Sequence, residues 1–477
     1  MRSLAKNSIY NVLYRVISVL FPLIMISYAS QVLQPQGIGR VSSAQNIAQY
    51  FVLVAALGLP TYGTKKIAAC LGVKKEVNRT FSELIIINTV STIICSVAYY
   101  LMISALPFYR ERFPIYAATG LAIVFNFFNI DWYYQGTEEY RYIMLRSLVV
   151  KILSLGVLLV FVRTPNDIVQ YALVVTMAKV ANYIFNIIHV RHRVNFTLED
   201  INVKQHIKPV IVLLAAAIAV EVYTLADTTM LTFMCGDEIV GYYSNSIKCI
   251  SVIRTLIAAV CAVFLPRLSF YYAKKDYDSF NNLITRGFKI LFTFTIPAAI
   301  GCALVADDFI PVLFGTSFLG SVATTRILAI SVITVAFSNF IGYQILVTVG
   351  KEKIMLISTV VGAAVNVILN YFLIRLYQHN GAAVASVITE GTVALIQLIS
   401  IRKVVKLGPM LKETILPSLA GAGSMIILIM IFKNVFNSGI LRLAISIMIG
   451  IATYFVVNIA LKNDLVPMVM NKLRRKV

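Results

Sequence analysis

Charge is scarce in this chain. Of its 477 residues, 13% are Asp, Glu, Lys or Arg, against about a quarter in soluble proteins. The other side of that scarcity is 59% hydrophobic residues and a mean hydropathy of +0.83. A soluble fold of this size cannot bury so much apolar surface, so the natural solvent is a bilayer. Histidine is also rare: His189, His192, His206 and His379 are the whole set. They fall at span ends or in loops and include no HExxH, so a histidine metal site is not expected. The six cysteines are scattered without a CxxC pair, which excludes a zinc ribbon and a disulfide framework. A GxxxxGK[ST] phosphate loop is missing, so ATP hydrolysis within this chain is not expected. No catalytic residues and no cofactor are expected. If transport is driven, the available source is an H+ or Na+ gradient or the membrane potential.

Long apolar runs are what the chain has instead. A span needs about twenty mostly apolar residues. The sequence predicts an all-α membrane protein of about fourteen transmembrane helices, at 9–30, 41–62, 81–106, 115–134, 146–162, 168–189, 209–232, 240–265, 287–305, 325–349, 354–376, 382–401, 415–436 and 440–461. The run Ile9–Ala29 has a basic start but no small-residue cleavage site, and reads as an uncleaved first span. The net charge of +21 would suggest nucleic acid in a soluble chain; here it reads as basic cytoplasmic loops beside anionic membrane lipids, and no nucleic-acid partner is expected. Placing the N-terminus inside puts Lys65, Lys66, Lys74, Lys75, Arg191, Arg193, Lys274, Lys275, Arg402, Lys403, Arg474 and Arg475 in cytoplasmic segments. Few cations, among them Arg40, Arg110, Arg112 and Arg163, are left outside. This bias predicts that both termini are cytoplasmic.

A repeat is visible. Ile38-Gly39-Arg40-Val41-Ser42 after span 1 echoes Val240-Gly241-Tyr242-Tyr243-Ser244 after span 7. Gly136 and Glu138 before Ile143-Met144-Leu145 echo Gly350 and Glu352 before Ile354-Met355-Leu356. Two six-helix lobes in parallel pseudo-repeat follow, 1–208 and 209–401, with spans 13–14 and a cytoplasmic tail in 402–477; such lobes suit alternating access around a central cavity.

Ionisable groups inside spans cost about 2.5–3.5 kcal/mol each at the membrane centre and generally face a bundle interior or a water-filled cavity. Arg15, Lys179, Lys248 and Arg254 stand out. Lys151 and Arg326 lie nearer span ends, where snorkelling to the interface explains them. The acids are Glu221 and Asp227 in span 7 and Glu390 in span 12. One reading is ion pairing, such as Glu221 or Asp227 with Lys248. The other is a cationic cavity for an anionic substrate, with the acids as coupling-ion candidates. Gln45 and Gln49, and Asn366 and Asn370, are i,i+4 pairs that each share a helix face. They suit helix–helix hydrogen bonding or contacts to sugar hydroxyls. Pro22 and Pro297 interrupt spans 1 and 9 and are expected to kink them.

Ordered motifs then suggest a family. Gly37-x-Gly39, Asp131-Trp132…Gln135-Gly136…Glu138, Leu225-x-Asp227-x-x-Met230-Leu231, Val240-Gly241-x-Tyr243…Lys248 and Ile341-Gly342-x-Gln344-x-Leu346 resemble the pattern of Wzx-type polysaccharide flippases. Leu33-Gln34-Pro35 departs from it, where Leu-Gly-Pro is common. The resemblance covers nearly the whole chain. It implies the multidrug/oligosaccharidyl-lipid/polysaccharide exporter fold in the bacterial inner membrane. It implies translocation of undecaprenyl-pyrophosphate-linked O-antigen or capsule units to the periplasmic leaflet, beside a polysaccharide polymerase and a chain-length regulator as partners. The pyrophosphate needs cations to offset its desolvation, so Arg15, Lys248, Arg254 and Lys179 are the expected contacts. Two alternatives stay open: a cation-coupled multidrug exporter of the same superfamily, and a membrane polysaccharide polymerase, against which the short outer loops argue.

Overall fold

The computed structural model describes residues 4–402, 415–436 and 439–461; the basic segments 403–414 and 462–477 lie outside the described residues. Helices account for nearly all of the described chain, and no strand occurs among the described residues. Helices satisfy every backbone amide within one segment, as a hydrocarbon solvent requires. In order they are α1 Leu4–Ala56, α2 Leu59–Ala69, α3 Lys74–Ala105, α4 Pro107–Arg110, α5 Phe113–Val124, α6 Asp131–Gly136, α7 Tyr140–Phe161, α8 Ile168–Val190, α9 Lys204–Met234, α10 Asp237–Ala262, α11 Leu265–Ala273, α12 Tyr277–Phe314, α13 Ser321–Asn339, α14 Glu352–Ile401, α15 Leu416–Val435 and α16 Ile440–Ala460. A 3₁₀ turn, Phe125–Phe128, links α5 to α6, and a π turn, Phe340–Leu346, extends α13.

Among the described residues, ten helical segments are long and apolar enough to cross a membrane. Two of the helices they contain are double length. α1 leaves helical geometry at Gln34 (φ 61, ψ 173), just before Pro35, and α14 does so at Gln378 (φ 49, ψ −128). These breaks fall between expected spans 1 and 2 and spans 11 and 12. With α9 and the α5–α6 segment counted, each of the fourteen expected spans coincides with helix, and the count is consistent with the structure. Pro22 and Pro297 sit inside α1 and α12. Large apolar side chains such as Leu101, Phe372 and Ile440 are exposed along these helices. A lipid solvent accounts for so continuous an apolar surface, and the chain is a multi-pass membrane protein.

The chain divides into two compact units, Met1–Gly241 and Tyr242–Val477. In the first, Ile67, Leu84, Ile130, Trp132, Tyr134 and Ile143 form a buried core. Two echoing glycines meet in this unit. A Cβ on Gly39 would lie 1.6 Å from the Asp237 carbonyl oxygen, and one on Gly241 would lie 2.1 Å from the Pro35 carbonyl oxygen. Only glycine permits so close a backbone approach. At the same end the buried Asp237 carboxylate accepts from Arg112 Nη1 (2.8 Å) and Arg40 Nε (3.2 Å).

In the second unit, Phe280, Phe288, Phe340 and Ile345 fill the core. Helices α15 and α16 pack against α12. Tyr454 donates to the Thr293 carbonyl (2.8 Å). The buried Asp308 is gripped by Arg442, with Lys433 Nζ 3.6 Å from its other oxygen and 2.5 Å from Asp307. At the start of α12, Asp276 caps the helix by accepting from the Ser279 backbone N–H (3.1 Å), and the Ser279 hydroxyl together with that N–H holds its carboxyl below the usual carboxylate range.

Candidate functional site

The first unit carries a polar stripe on α8. Thr176, Lys179, Asn182, Tyr183 and Asn186 recur at helical spacing and share one face. Gln45 and Gln49, one turn apart on the second half of α1, meet this stripe. Together with Thr119 of α5, Thr176 and Lys179 they line a water-sized recess of about 10 Å³. Lys179 is exposed and has neither an acid nor a hydrogen-bond partner among the described residues. Three residues singled out in the sequence come together here: the amide pair Gln45 and Gln49 and the cation Lys179 line one recess.

The same stripe ends in an ion pair that the charge count did not foresee. Arg146, at the first position of the expected span 146–162, is buried. Its Nη1 donates to Asp131 Oδ1 (2.9 Å) and to Asn186 Oδ1, and its Nε donates to Asn182 Oδ1 (3.1 Å). Asn186 Nδ2 also donates to Asp131 Oδ1 (2.6 Å). A cation without water needs a counter-ion and satisfied donors, and Asp131 with two asparagines supplies both. The sequence signal was Asp131 itself, an acid at the edge of an apolar run that had to be neutralised by some neighbour.

In the second unit, Arg254 of α10 lines a cavity of about 210 Å³ with Thr255, Ala258, Val332, Val335 and Asn339. Its Nη2 donates to Ser331 Oγ at 2.5 Å. Its Nε is buried and has no partner. An unmade buried donor on a charged group costs about 1–3 kcal/mol or more, which an acceptor entering the cavity would recover. Lys248, six residues earlier on α10, is partly buried and engaged.

The other expected residues are placed as follows. Arg15 lies in α1, and its side chain is outside the described residues. Asn370 Nδ2 donates to Asn366 Oδ1 (3.0 Å), and both are buried. Asp227 and Glu390 are buried and engaged. Glu221 is partly buried, and its Oε2 accepts from Thr224 (3.3 Å). Lys151 Nζ donates to Ser18 Oγ (3.1 Å), and Arg326 pairs with Asp307 (3.3 Å). No group of three or more metal-ligating side chains occurs among the described residues.

A helical multi-pass chain with span cations lining internal recesses has the build of a membrane transporter. The solved structures agree on the fold. The chain superposes on a lipid II flippase MurJ, in an inward closed conformation, with a TM-score of 0.78 at 15% identity, covering 97% of this chain and 100% of that one. An inward-facing multidrug resistance MATE family transporter gives a TM-score of 0.60 at 14% identity, over 85% and 96% of the two chains. The chain belongs to the polysaccharide biosynthesis protein family, which it matches over residues 4–271. It is 21% identical over 403 residues to a Shigella dysenteriae protein named for O-antigen transport, covering 83% of this chain and 100% of that one. A protein of the same name from Escherichia coli (strain K12) is 22% identical over 409 residues, 84% and 97% of the two chains.

Proposed function

We propose that this protein is a flippase. It moves undecaprenyl-pyrophosphate-linked oligosaccharide units from the cytoplasmic to the periplasmic leaflet of the bacterial inner membrane by alternating access, with both termini cytoplasmic. The observation that carries this reading is Arg254, a span cation whose buried Nε lacks a partner at the edge of a 210 Å³ cavity. Lys179 beside Gln45 and Gln49 supports it in the first unit. A pyrophosphate loses hydration on entering a low-dielectric path, and cations with vacant donors offset that loss. The amides suit the glycan. The relatives named for O-antigen transport favour the same substrate class. Coupling to an H+ or Na+ gradient is assigned to Asp227, Glu221 or Glu390, and a polysaccharide polymerase and a chain-length regulator are the downstream partners.

The test is a deletion strain. Lipid-linked units should accumulate on the cytoplasmic leaflet, and the gene supplied in trans should clear them. Accumulation on the periplasmic leaflet instead would mark a polymerase. The likeness to the MATE transporter favours a second reading, cation-coupled drug export. Drug resistance on overexpression, with surface glycan unchanged by deletion, would establish that reading over the first. The chemistry leans against it, because cationic drugs call for exposed acids where Lys179 and Arg254 stand.

A further inference from the structure

The flippase reading leaves the far end of the α8 stripe without a task. Asp131 is the group that needs explaining. Its Oδ1 is fully occupied, accepting from Arg146 and Asn186. Its Oδ2 receives no hydrogen bond from the described residues, and the side chain is 25% exposed. Tyr183, partly exposed, lies on the α8 face between Asn182 and Asn186, whose side chains bond Arg146 and Asp131. Tyr183 makes no hydrogen bond to the described residues. Asn182 is already spent: its oxygen accepts from Arg146 and its amide donates to the Ala178 carbonyl at 2.7 Å. It therefore holds Arg146 in place and is not available to a ligand.

The chemistry narrows the ligand. An anion is repelled by the vacant carboxylate oxygen. A coupling cation or proton is disfavoured, because Arg146 already neutralises the carboxylate from its other side. Neutral donors remain, and hydroxyl groups on a ring that can lie against an aromatic face meet both Asp131 and Tyr183. The position along the helix gives the second constraint. Tyr183 is four residues from Lys179, roughly 6 Å along α8. That spacing is about the length of one pyranose ring, so a phosphate at Lys179 places the sugar attached to it at Tyr183 and Asp131.

We infer that Asp131 and Tyr183 form a sugar subsite for the first residue of the glycan, with Lys179 one turn away holding the phosphate that carries it. This rests on the flippase reading. Asp131 Oδ2 accepts sugar hydroxyls, Tyr183 offers its ring to the sugar's C–H face, and Arg146 with Asn182 and Asn186 are positioning residues that fix the carboxylate.

The test compares two probes on the purified full-length protein in lipid nanodiscs: undecaprenyl pyrophosphate, and the same lipid bearing one N-acetylglucosamine. Wild type should bind the sugar-bearing probe about tenfold more tightly, the worth of one charge-assisted hydrogen bond. Asp131→Asn keeps the Oδ1 acceptor for Arg146 and should erase that preference while leaving affinity for the sugar-free probe within about twofold. Tyr183→Leu should do the same, and it decides the matter if Asp131→Asn does not fold. Lys179→Gln should weaken both probes in parallel. Equal affinity of wild type for the two probes, or a preference that survives in Tyr183→Leu, overturns the subsite and leaves the flippase reading standing. Failure of wild type to bind either probe overturns both.

Discussion

Arg254 offers the sharpest quantitative test of the proposed anion path. Its guanidinium spends one donor on Ser331 and holds a second, Nε, buried without an acceptor. A phosphate oxygen in the adjoining cavity would satisfy that donor and gain a charge-assisted bond. Such bonds are worth about 1.5–3 kcal/mol each, and relief of the orphaned donor pushes the value toward the upper end. Arg254→Ala should therefore weaken binding of undecaprenyl pyrophosphate by about 3 kcal/mol, on the order of 10²-fold in Kd. Arg254→Lys keeps the charge but loses the planar fork, and about a tenfold loss is expected. Ser331→Ala removes only the bond that orients the guanidinium and should cost less than tenfold. Titration of the purified protein in nanodiscs against this lipid reads all three. Alanine at position 254 binding within twofold of wild type would refute the argument. So would equal losses in Arg254→Lys and Arg254→Ala, because the charge would then count for nothing.

Two further predictions concern stability. Gly39→Ala drives a methyl into the Asp237 carbonyl and should cost at least about 1–3 kcal/mol by overpacking, read as a lowered Tm in detergent; an unchanged Tm would mean that the contact yields freely. Asp308→Ala leaves Arg442 and Lys433 facing each other in a buried setting and should cost about 3–5 kcal/mol. Asp307→Ala, at a half-exposed position, should cost far less in the same melt.

Much of the architecture was legible because lipid leaves few choices. A run of apolar residues long enough to span must be helical, so the spans could be read from hydropathy, and each coincides with helix. The i,i+4 spacing of Gln45 and Gln49 fixed their common face, and that face does meet Lys179. The breaks inside α1 and α14 were not legible as such. They occur at Gln34 and Gln378, non-glycine residues at positive φ, which intrinsic preference would not select; tertiary packing imposes them. The fate of cations at span ends was also hidden. Arg146 and Arg112 look like any loop charge in the sequence. What turns them inward is an acid from another helix, Asp131 or Asp237, and such pairings are set by packing across more than a dozen residues. Asn366 and Asn370 show the converse: their spacing was clear, but a shared face does not reveal that they would bond to each other.

The ionic groups of this protein fall into two populations once partners are counted. Arg146, Arg40, Arg112, Arg442 and Lys433 each face a carboxylate, and Glu83 is enclosed by Arg79 and His206. These charges hold helices together, and their pairing removes most of the cost of taking them from water. Lys179 and Arg254 have no carboxylate partner among the described residues. Packing alone would not retain such groups, since a neutral residue of similar size would avoid the expense of an unpaired cation in a span. On the flippase reading, the expense is recovered by an anion that arrives from outside the chain. A substrate with a permanent charge of the right sign fulfils that condition on every transport cycle, and a lipid pyrophosphate is such a substrate. Replacing the cations with acids should then do more than remove an attraction: Lys179→Glu and Arg254→Glu place a like charge beside the phosphate and should abolish export where the neutral variants only reduce it.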